Sequence, residues 1–543
     1  MADLKHLMKL NQLPDNNFLF DLIVIGGGIT GAGVARDAAL RGLSCLLLEK
    51  GDFASGVTSK TTRLIHGGLR YLANLEMGLV AESLRERAIL RKQVPYLINP
   101  MSILMPIYRG DPHGRAVISM GIHLYDMLSH EKDIPHYFTS GRAKTLSFEP
   151  RLSGEGLQGC AMFYDHQIRM PERLVIENLV SAQDAGATLL NYVQAEKIVE
   201  TRDSVMVTAR DLSSSESRTY RSRVLINAAG PWIDSVREIA NINDKKIIYP
   251  TKGIHLVMQK LSDQALFVTS RDGRMFFVVP MGAYSLIGTT DTKYKGNLDE
   301  VHAEQEDVNY LLNESRRVLP GLDISRNMIF YTYAGIRPLA FTGDRESRIS
   351  RKHRVIREGI SGRIITIAGG KLTTYRKMAK DVVDVACRTL GKRAICITAE
   401  KPLAGGLGRE YGEYMREAVP DLSARYNVPP ELVHHLIGFY GARAVPILEI
   451  AKTDHVLRER ISPESWDIYA QVLFSIRQEN ARTLTDIILR RMHLGMTGSR
   501  GLKQIEKISS IAAQELLWNN GEKQYHIQMF SNVLEKETAC LHG

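Results

Sequence analysis

Cysteine is scarce in this chain: Cys45, Cys160, Cys387, Cys396 and Cys540 are the five among 543 residues, far apart and with no C-x-x-C pair. An odd, scattered set supplies neither a disulfide framework nor a zinc site, so no metal is assigned and a reducing compartment is expected. Long apolar runs are also missing. The stretches at 22–25, 45–48 and 364–367 are strand-sized, far short of the roughly 18 residues that span a bilayer. Residues 1–17 mix charges and amides among their leucines instead of forming the apolar run of a secretory signal, and they read as a polar leader. Internal repeats and low-complexity segments are absent. Together these features lead to the expectation of a cytoplasmic protein that does not cross a membrane.

What remains is an ordinary globular composition, 44% hydrophobic and 24% charged, long enough for several domains with large cores. Lysine and arginine number 70 against 60 aspartates and glutamates, leaving a net charge of +10 and a pI of about 9.2. Such a charge permits attraction to anionic lipid or phosphorylated substrates. The basic residues are dispersed and no reader motif is present, so a nucleic-acid partner is not expected.

The segment 18–25 reads as a buried strand, 26–33 as a glycine turn, 34–41 as a helix and 44–49 as a second strand, which is a βαβ unit. Met77, Val80, Leu84 and Ala88 fall on one face of a following helix. A helix at 174–185 and strands at 187–193, 204–209 and 224–229 come next, and the stretch 246–345 is strand-rich, with candidates at 254–257, 275–279 and 285–288. A strand at 364–367 runs into Gly369-Gly370 and a helix over 371–390. Beyond the loop 398–408 the strand signal disappears, and Leu484, Ile487, Ile488 and Met492 recur at helical spacing. The class is α/β with an all-α C-terminal domain.

The glycine turn is Gly26-x-Gly28-x-x-Gly31, and Glu49 ends the second strand 18 residues after the third glycine. Glycines there allow a tight turn and close approach of the backbone to a pyrophosphate at the helix N-terminus, while the acid accepts hydrogen bonds from a ribose. The loop 51–72 is rich in hydroxyls and glycines, which suits donors that wrap a diphosphate or a ring system. His434 and His435 are adjacent, so on a helix they diverge and make poor joint metal ligands.

EKGDFASG, LIHGGLRYL, NAAGPW, IGTTD, AGIRPL and GGKLTTYR follow one another in this order, and ENARTLTDIILRR stands at 479–491. From about residue 18 to about 500 the chain resembles the FAD-dependent glycerol-3-phosphate dehydrogenases, part of the D-amino-acid-oxidase-like flavoproteins. The resemblance implies non-covalent FAD, and a Rossmann-like domain (18–95, 160–245 and 346–397) interleaved with an antiparallel β-rich substrate domain (96–159 and 246–345). A linker at 398–408, a helical domain at 409–525 and a tail at 526–543 would complete the chain.

For the cofactor, the resemblance adds Ile29 and Thr30 to Gly26, Gly28, Gly31 and Glu49. It also draws in Lys50, Thr58, Ser59, His66 and Gly67 from the loop, then Val193, Ala229, Gly230 and Trp232, and finally Gly369, Gly370, Lys371, Leu372 and Thr373. Arg70 and Tyr71 are expected to hold a substrate phosphate, as a guanidinium fork and a phenol hydroxyl suit one. Arg337 would bind the carbinol oxygen, and Lys371 and Thr374 would add donors, the ammonium also balancing charge on a reduced flavin. His255 is the candidate general base, with Asp291 to orient or charge-balance it. Met170-Pro171 stands where the family commonly has an acidic pair.

The implied reaction is oxidation of sn-glycerol 3-phosphate to dihydroxyacetone phosphate, with hydride transfer from C2 to flavin N5. Electrons would pass to a membrane quinone reached from the cytoplasmic bilayer surface by peripheral association. A homodimer is one assembly left open. Rival readings are an oxidase of the same substrate that uses oxygen and releases peroxide, a related flavoprotein acting on an amine, and a basic flavoprotein that binds RNA or is non-catalytic.

Overall fold

A computed structural model describes residues 18–72, 76–129, 134–242, 245–341, 349–350 and 352–542. The expected leader at 1–17 lies outside them. Among the described residues eight strands form the first sheet: β1 (Leu19–Ile25), β2 (Cys45–Glu49), β7 (Thr188–Asn191), β8 (Val193–Glu200), β9 (Val205–Asp211), β10 (Ser217–Asn227), β18 (Arg354–Glu358) and β19 (Ile364–Ala368). Their order is β18-β19-β10-β1-β2-β7, with β8 and β9 folded back on β10. The pairs from β19 to β7 are parallel, and β1, β2 and β19 are apolar nearly throughout because both faces are covered. Helices Ile29–Leu40, Pro171–Asp184 and Tyr375–Leu390 cover one face. Small residues at Ala32, Ala35 and Ala38 let them approach closely, and Gly33 meets the Tyr375 ring where a Cβ would stand only 2.8 Å from it.

Among the described residues the second sheet has eleven strands: β3 (Leu64–Ile65), β4 (Ile98–Tyr108), β5 (Phe138–Gly141), β6 (Leu157–Ile168), β11 (Ile248–Gln259), β12 (Ala265–Thr269), β13 (Met275–Met281), β14 (Tyr284–Gly288), β15 (Thr292–Lys293), β16 (Ile329–Phe341) and β17 (Ile349–Ser350). It is antiparallel apart from β4 beside β12. Residues 64–65, 160–168 and 349–350, expected with the first domain, are strands of this sheet. Alternation along β11 sends Ile254, Leu256 and Met258 into a core under helix Gln305–Val318, and His255 to the opposite face. The β11–β16 register sets His255 opposite Tyr333 and Thr251 opposite Arg337, so His255, Tyr333 and Arg337 share that face.

Beyond residue 410 the chain is helical, with one correction: β20 (Arg460–Ser462) and β21 (Ser465–Ile468) form a two-stranded hairpin. Three- and four-residue strands are too short to show a period in the sequence. The stretch expected as a tail from 526 continues helix Asn520–Thr538, which starts on an Asn519/Glu522 capping box. Met170 and Pro171 open helix Pro171–Asp184 without a side-chain cap; Met170 is wholly buried, and Pro171 at the first turn has no N–H to satisfy.

Candidate functional site

The parallel strands β1, β2 and β10 end at one edge, and the turns that follow them bound a cleft of about 780 Å³. Gly26 sits at φ +108°, where its Cβ would lie 2.7 Å from the Ala228 carbonyl oxygen, and a Cβ on Gly31 would collide with the Gly26 carbonyl oxygen. These two glycines therefore hold the turn against β10 and the helix against the turn. Gly28 faces open space apart from Thr58 Oγ1 at 3.4 Å. Thr58 Oγ1 accepts from Ile29 N at 3.1 Å. Glu49 accepts from Gly27 N at 2.6 Å and Gly51 N at 2.7 Å, and burial raises its carboxyl above the ordinary range. Lys50 reaches across to Asp299 at 2.5 Å, its ammonium 4.6 Å from the Trp232 ring centre.

Gly26, Gly28, Ile29, Thr30, Glu49, Lys50, Thr58, Val193, Ala229, Gly230, Trp232, Gly369, Gly370, Lys371 and Leu372 all line this cleft. Ser59 does not; its hydroxyl turns back to Gly56 O at 3.0 Å. The Trp232 indole Nε1 is buried with no hydrogen-bond partner among the described residues, a donor left for a ligand with acceptors. A glycine cradle, a helix N-terminus and this orphan donor fit the dinucleotide expected.

Past Lys60, Thr61, Gly335, Pro338 and Lys371 the cleft continues into a cavity of about 180 Å³ lined by Thr62, His66, His255, Thr289 and Arg337, and then into another of about 140 Å³ with Tyr71, Phe163, Asp165 and Asp291 on its walls. His255 is buried, its ring stacked on Tyr333 at 4.9 Å and its Nε2 2.9 Å from Thr62 Oγ1. Burial first, then the Arg337 and Arg63 cations, push the imidazole down to about 3, so it stays neutral. Arg337 donates from Nη2 to Thr289 Oγ1 and Thr290 O, both at 2.9 Å, and its Nη1 lies 2.7 Å from Asp291 Oδ1. Asp291 therefore serves the arginine, because the turn after β14 faces Arg337 on β16.

Lys371 Nζ donates to His66 O at 3.2 Å and Gly67 O at 3.0 Å and stands 4.8 Å over the Tyr71 ring, while Thr373 Oγ1 both accepts from His66 N and donates to His66 O. These residues hold the His66–Gly67–Gly68 loop. Thr374 is buried, and its hydroxyl bonds back to Lys371 O at 3.3 Å, so it does not reach the cavity. The side chain of Arg70 lies outside the described residues. From the other side, Gly67 N donates to Tyr125 at 2.7 Å and Asp165 at 3.3 Å, and Asp165 is paired with Arg87 at 2.6 Å. Lys60, Tyr333 and this Asp165 cluster were not found from the sequence. The alternation of Gly253 with His255 and of Gly335 with Arg337 was the available signal for a shared face.

His255, with His166, which burial pushes down to about 2, makes the fold sensitive to acid. Both bind a proton in the unfolded chain near the ordinary 6.5 and in the folded chain only near 3 or below. Protons therefore favour unfolding as pH falls through that window. Stability should drop by roughly 1.4 kcal/mol per histidine for each pH unit below about 6.5. Urea midpoints at neutral pH and about two units lower check this; equal midpoints would contradict it.

A family model described as FAD dependent oxidoreductase matches residues 21–376, and one described as the C-terminal domain of alpha-glycerophosphate oxidase matches 396–523. The chain is similar to a glycerol-3-phosphate dehydrogenase from Synechocystis sp., 38% identical over 98% of this chain and 100% of that one. An aerobic glycerol-3-phosphate dehydrogenase from Staphylococcus aureus is 35% identical over 87% of this chain and 86% of its own. Among solved structures, the glycerol-3-phosphate dehydrogenase from Bacillus halodurans complexed with FAD superposes with a TM-score of 0.82 at 28% identity, covering 99% of this chain and 98% of that one.

Proposed function

We propose, from the premise that the chain belongs to the FAD-dependent oxidoreductase family, that it oxidises sn-glycerol 3-phosphate to dihydroxyacetone phosphate. The observation that carries this reading is the continuity of the glycine-turn cleft with a cavity whose walls present His255 and Arg337. The glycine turn, Glu49, Trp232 and the Gly369–Gly370 segment would hold FAD, which when bound would supply the two-electron acceptor for hydride from substrate C2.

The substrate phosphate sits toward Arg70 and Tyr71, and the carbinol lies between Arg337 and His255. Asp291 and the Thr289–Thr290 turn hold the Arg337 guanidinium in place, so its donors meet the carbinol oxygen as negative charge develops there. His255 takes the hydroxyl proton at Nε2, the ring atom turned to Thr62, and the Tyr333 stack fixes the ring plane. Lys371 and Thr373 act through the His66–Gly67 backbone that they clamp.

Arg70→Ala should mainly raise KM, since a phosphate contact remote from C2 serves ground and transition states alike. Steady-state kinetics check this, and a collapsed kcat at unchanged KM would move Arg70 to the reaction centre. Arg337→Ala should damage both substrate binding and flavin reduction, because its guanidinium faces the oxygen in both states. Rapid-mixing titration of the variant separates the two; an effect on binding alone would remove Arg337 from the reacting oxygen.

A membrane quinone is the proposed electron acceptor, reached from the bilayer surface. Among the described residues no helix is long and apolar enough to cross a membrane. Helix Arg115–Met127 exposes Val117, Met120 and Met127 on a chain of net charge +10, which supports peripheral attachment to anionic lipid. The C-terminal match to an oxidase domain favours a second reading, in which oxygen is the acceptor. Peroxide release against quinone reduction by the purified protein separates the two.

A further inference from the structure

The motif ENARTLTDIILRR at 479–491 takes no part in the chemistry above, yet its last two side chains, Arg490 and Arg491, converge on the loop that follows β2. Asp52 of that loop is buried, and both cations on its carboxylate come from the C-terminal domain. Arg491 forks onto it, Nη2 to Oδ1 at 2.8 Å and Nη1 to Oδ2 at 2.9 Å, and Arg490 Nε reaches Oδ2 at 2.5 Å. Asp486 balances the second arginine: its Oδ1 accepts from Arg490 Nη2 at 2.6 Å and from the Tyr192 hydroxyl at 2.7 Å. Two carboxylates and two guanidiniums thus form a neutral buried set. Burial opposes ionisation of Asp52, but the two arginines outweigh it and hold the carboxyl below the ordinary range. The arginines close the six-residue π-helical turn Asp486–Arg491, the local geometry that brings two consecutive side chains onto one carboxylate.

On its other side the same loop shapes the cofactor cleft. Asp52 O accepts from Ser55 N at 3.1 Å, Ala54 N donates to Gly27 O at 3.1 Å, and Gly51 N donates to Glu49. Gly51, Ser55 and Gly56 line the cleft itself. The loop packs directly on the glycine turn at Gly27, where a Cβ would stand 2.7 Å from the Phe53 ring and 2.8 Å from Glu49 Cβ.

We propose that the C-terminal helical domain sets the affinity for FAD by clamping this loop, with Arg490 and Arg491 as positioning residues that act through Asp52. The inference rests on the FAD reading above. With one partner removed, the remaining buried charge has to be rehydrated, and the loop can reach water only by leaving the position that completes the cleft. The bidentate fork makes Arg491 the stricter of the two, so lysine at that position should restore charge without full geometry.

FAD titration of apoprotein prepared from the full chain tests this. Asp52→Asn and Arg491→Met should weaken FAD binding on the order of 10- to 100-fold. Arg491→Lys should fall between them and the wild type, with apoprotein melting close to wild type and KM for glycerol 3-phosphate unchanged at saturating FAD. Folded variants that bind FAD within twofold of wild type would overturn the clamp, whereas a wild-type protein that takes up no FAD would instead overturn the cofactor reading. Hydrogen exchange on the wild type covers the case of a variant that fails to fold. FAD should slow exchange at residues 486–491 as well as 51–58, since coupling between two sites is reciprocal; protection confined to the β2 loop would overturn the proposal.

Discussion

Replacing His255 by alanine is expected to slow anaerobic reduction of the bound flavin by glycerol 3-phosphate about 10²–10⁴-fold, the usual worth of a positioned base, while substrate still binds. The side chain is fixed on two sides, by the Tyr333 stack at 4.9 Å and by Thr62 at 2.9 Å from Nε2. Arg337 remains in the variant to hold the carbinol oxygen, which is why binding should survive. Sequence alone would place the histidine's ionisation near neutrality. Burial between β14 and β16, with Arg337 and Arg63 nearby, moves it down to about 3. The sign follows directly: the free enzyme loses this base only as pH falls toward that value, so kcat/KM should show no limb belonging to His255 above about pH 5. Stopped-flow bleaching across pH, on wild type and variant, decides it. A neutral-range ionisation that vanishes in the variant would mean that the imidazole is more exposed than its packing indicates. Wild-type reduction rates in the variant would assign the proton to another group.

Gly31→Val should yield a colourless protein with a lowered melting temperature. Its Cβ would collide with the Gly26 carbonyl oxygen, so the start of helix Ile29–Leu40 has to leave the turn that it completes. Gly28→Val should be equally colourless for a different reason. At that position a Cβ meets only Thr58 Oγ1 at 3.4 Å, so the apoprotein should melt like wild type while the side chain occupies space the dinucleotide needs. Absorbance of the purified variants and their melting curves separate steric damage to the fold from steric damage to the site. Stoichiometric FAD in either variant would remove the glycine turn from the cofactor site.

The βαβ unit was legible because continuous apolar runs, a glycine turn and an acidic strand end are local signals, and the structure places them within a residue or two for the strands. Helix Ile29–Leu40 begins earlier than the sequence indicated, since Gly31 and Gly33 read as turn residues and serve as close-packing residues. The face shared by His255, Tyr333 and Arg337 depends on the β11–β16 register, and a pairing across some 80 residues leaves no mark on either strand alone. Asp291 shows the same limit: IGTTD places it near the chemistry, but only the turn's orientation reveals that it pairs with Arg337. The hairpin of β20 and β21 was too short to see, and Lys60 was lost among hydroxyls. Its ammonium lies 3.0 Å from Glu537, at the far end of the chain.

The visible spectrum of the purified protein, recorded without oxygen before and after addition of glycerol 3-phosphate, tests most directly that a flavin and this substrate meet in the connected cavities. A yellow protein that bleaches on addition of glycerol 3-phosphate, and keeps its colour with glycerol or an amino acid, is the expected result. A protein that stays oxidised with glycerol 3-phosphate but bleaches with an amine, or that carries no flavin at all, would contradict it.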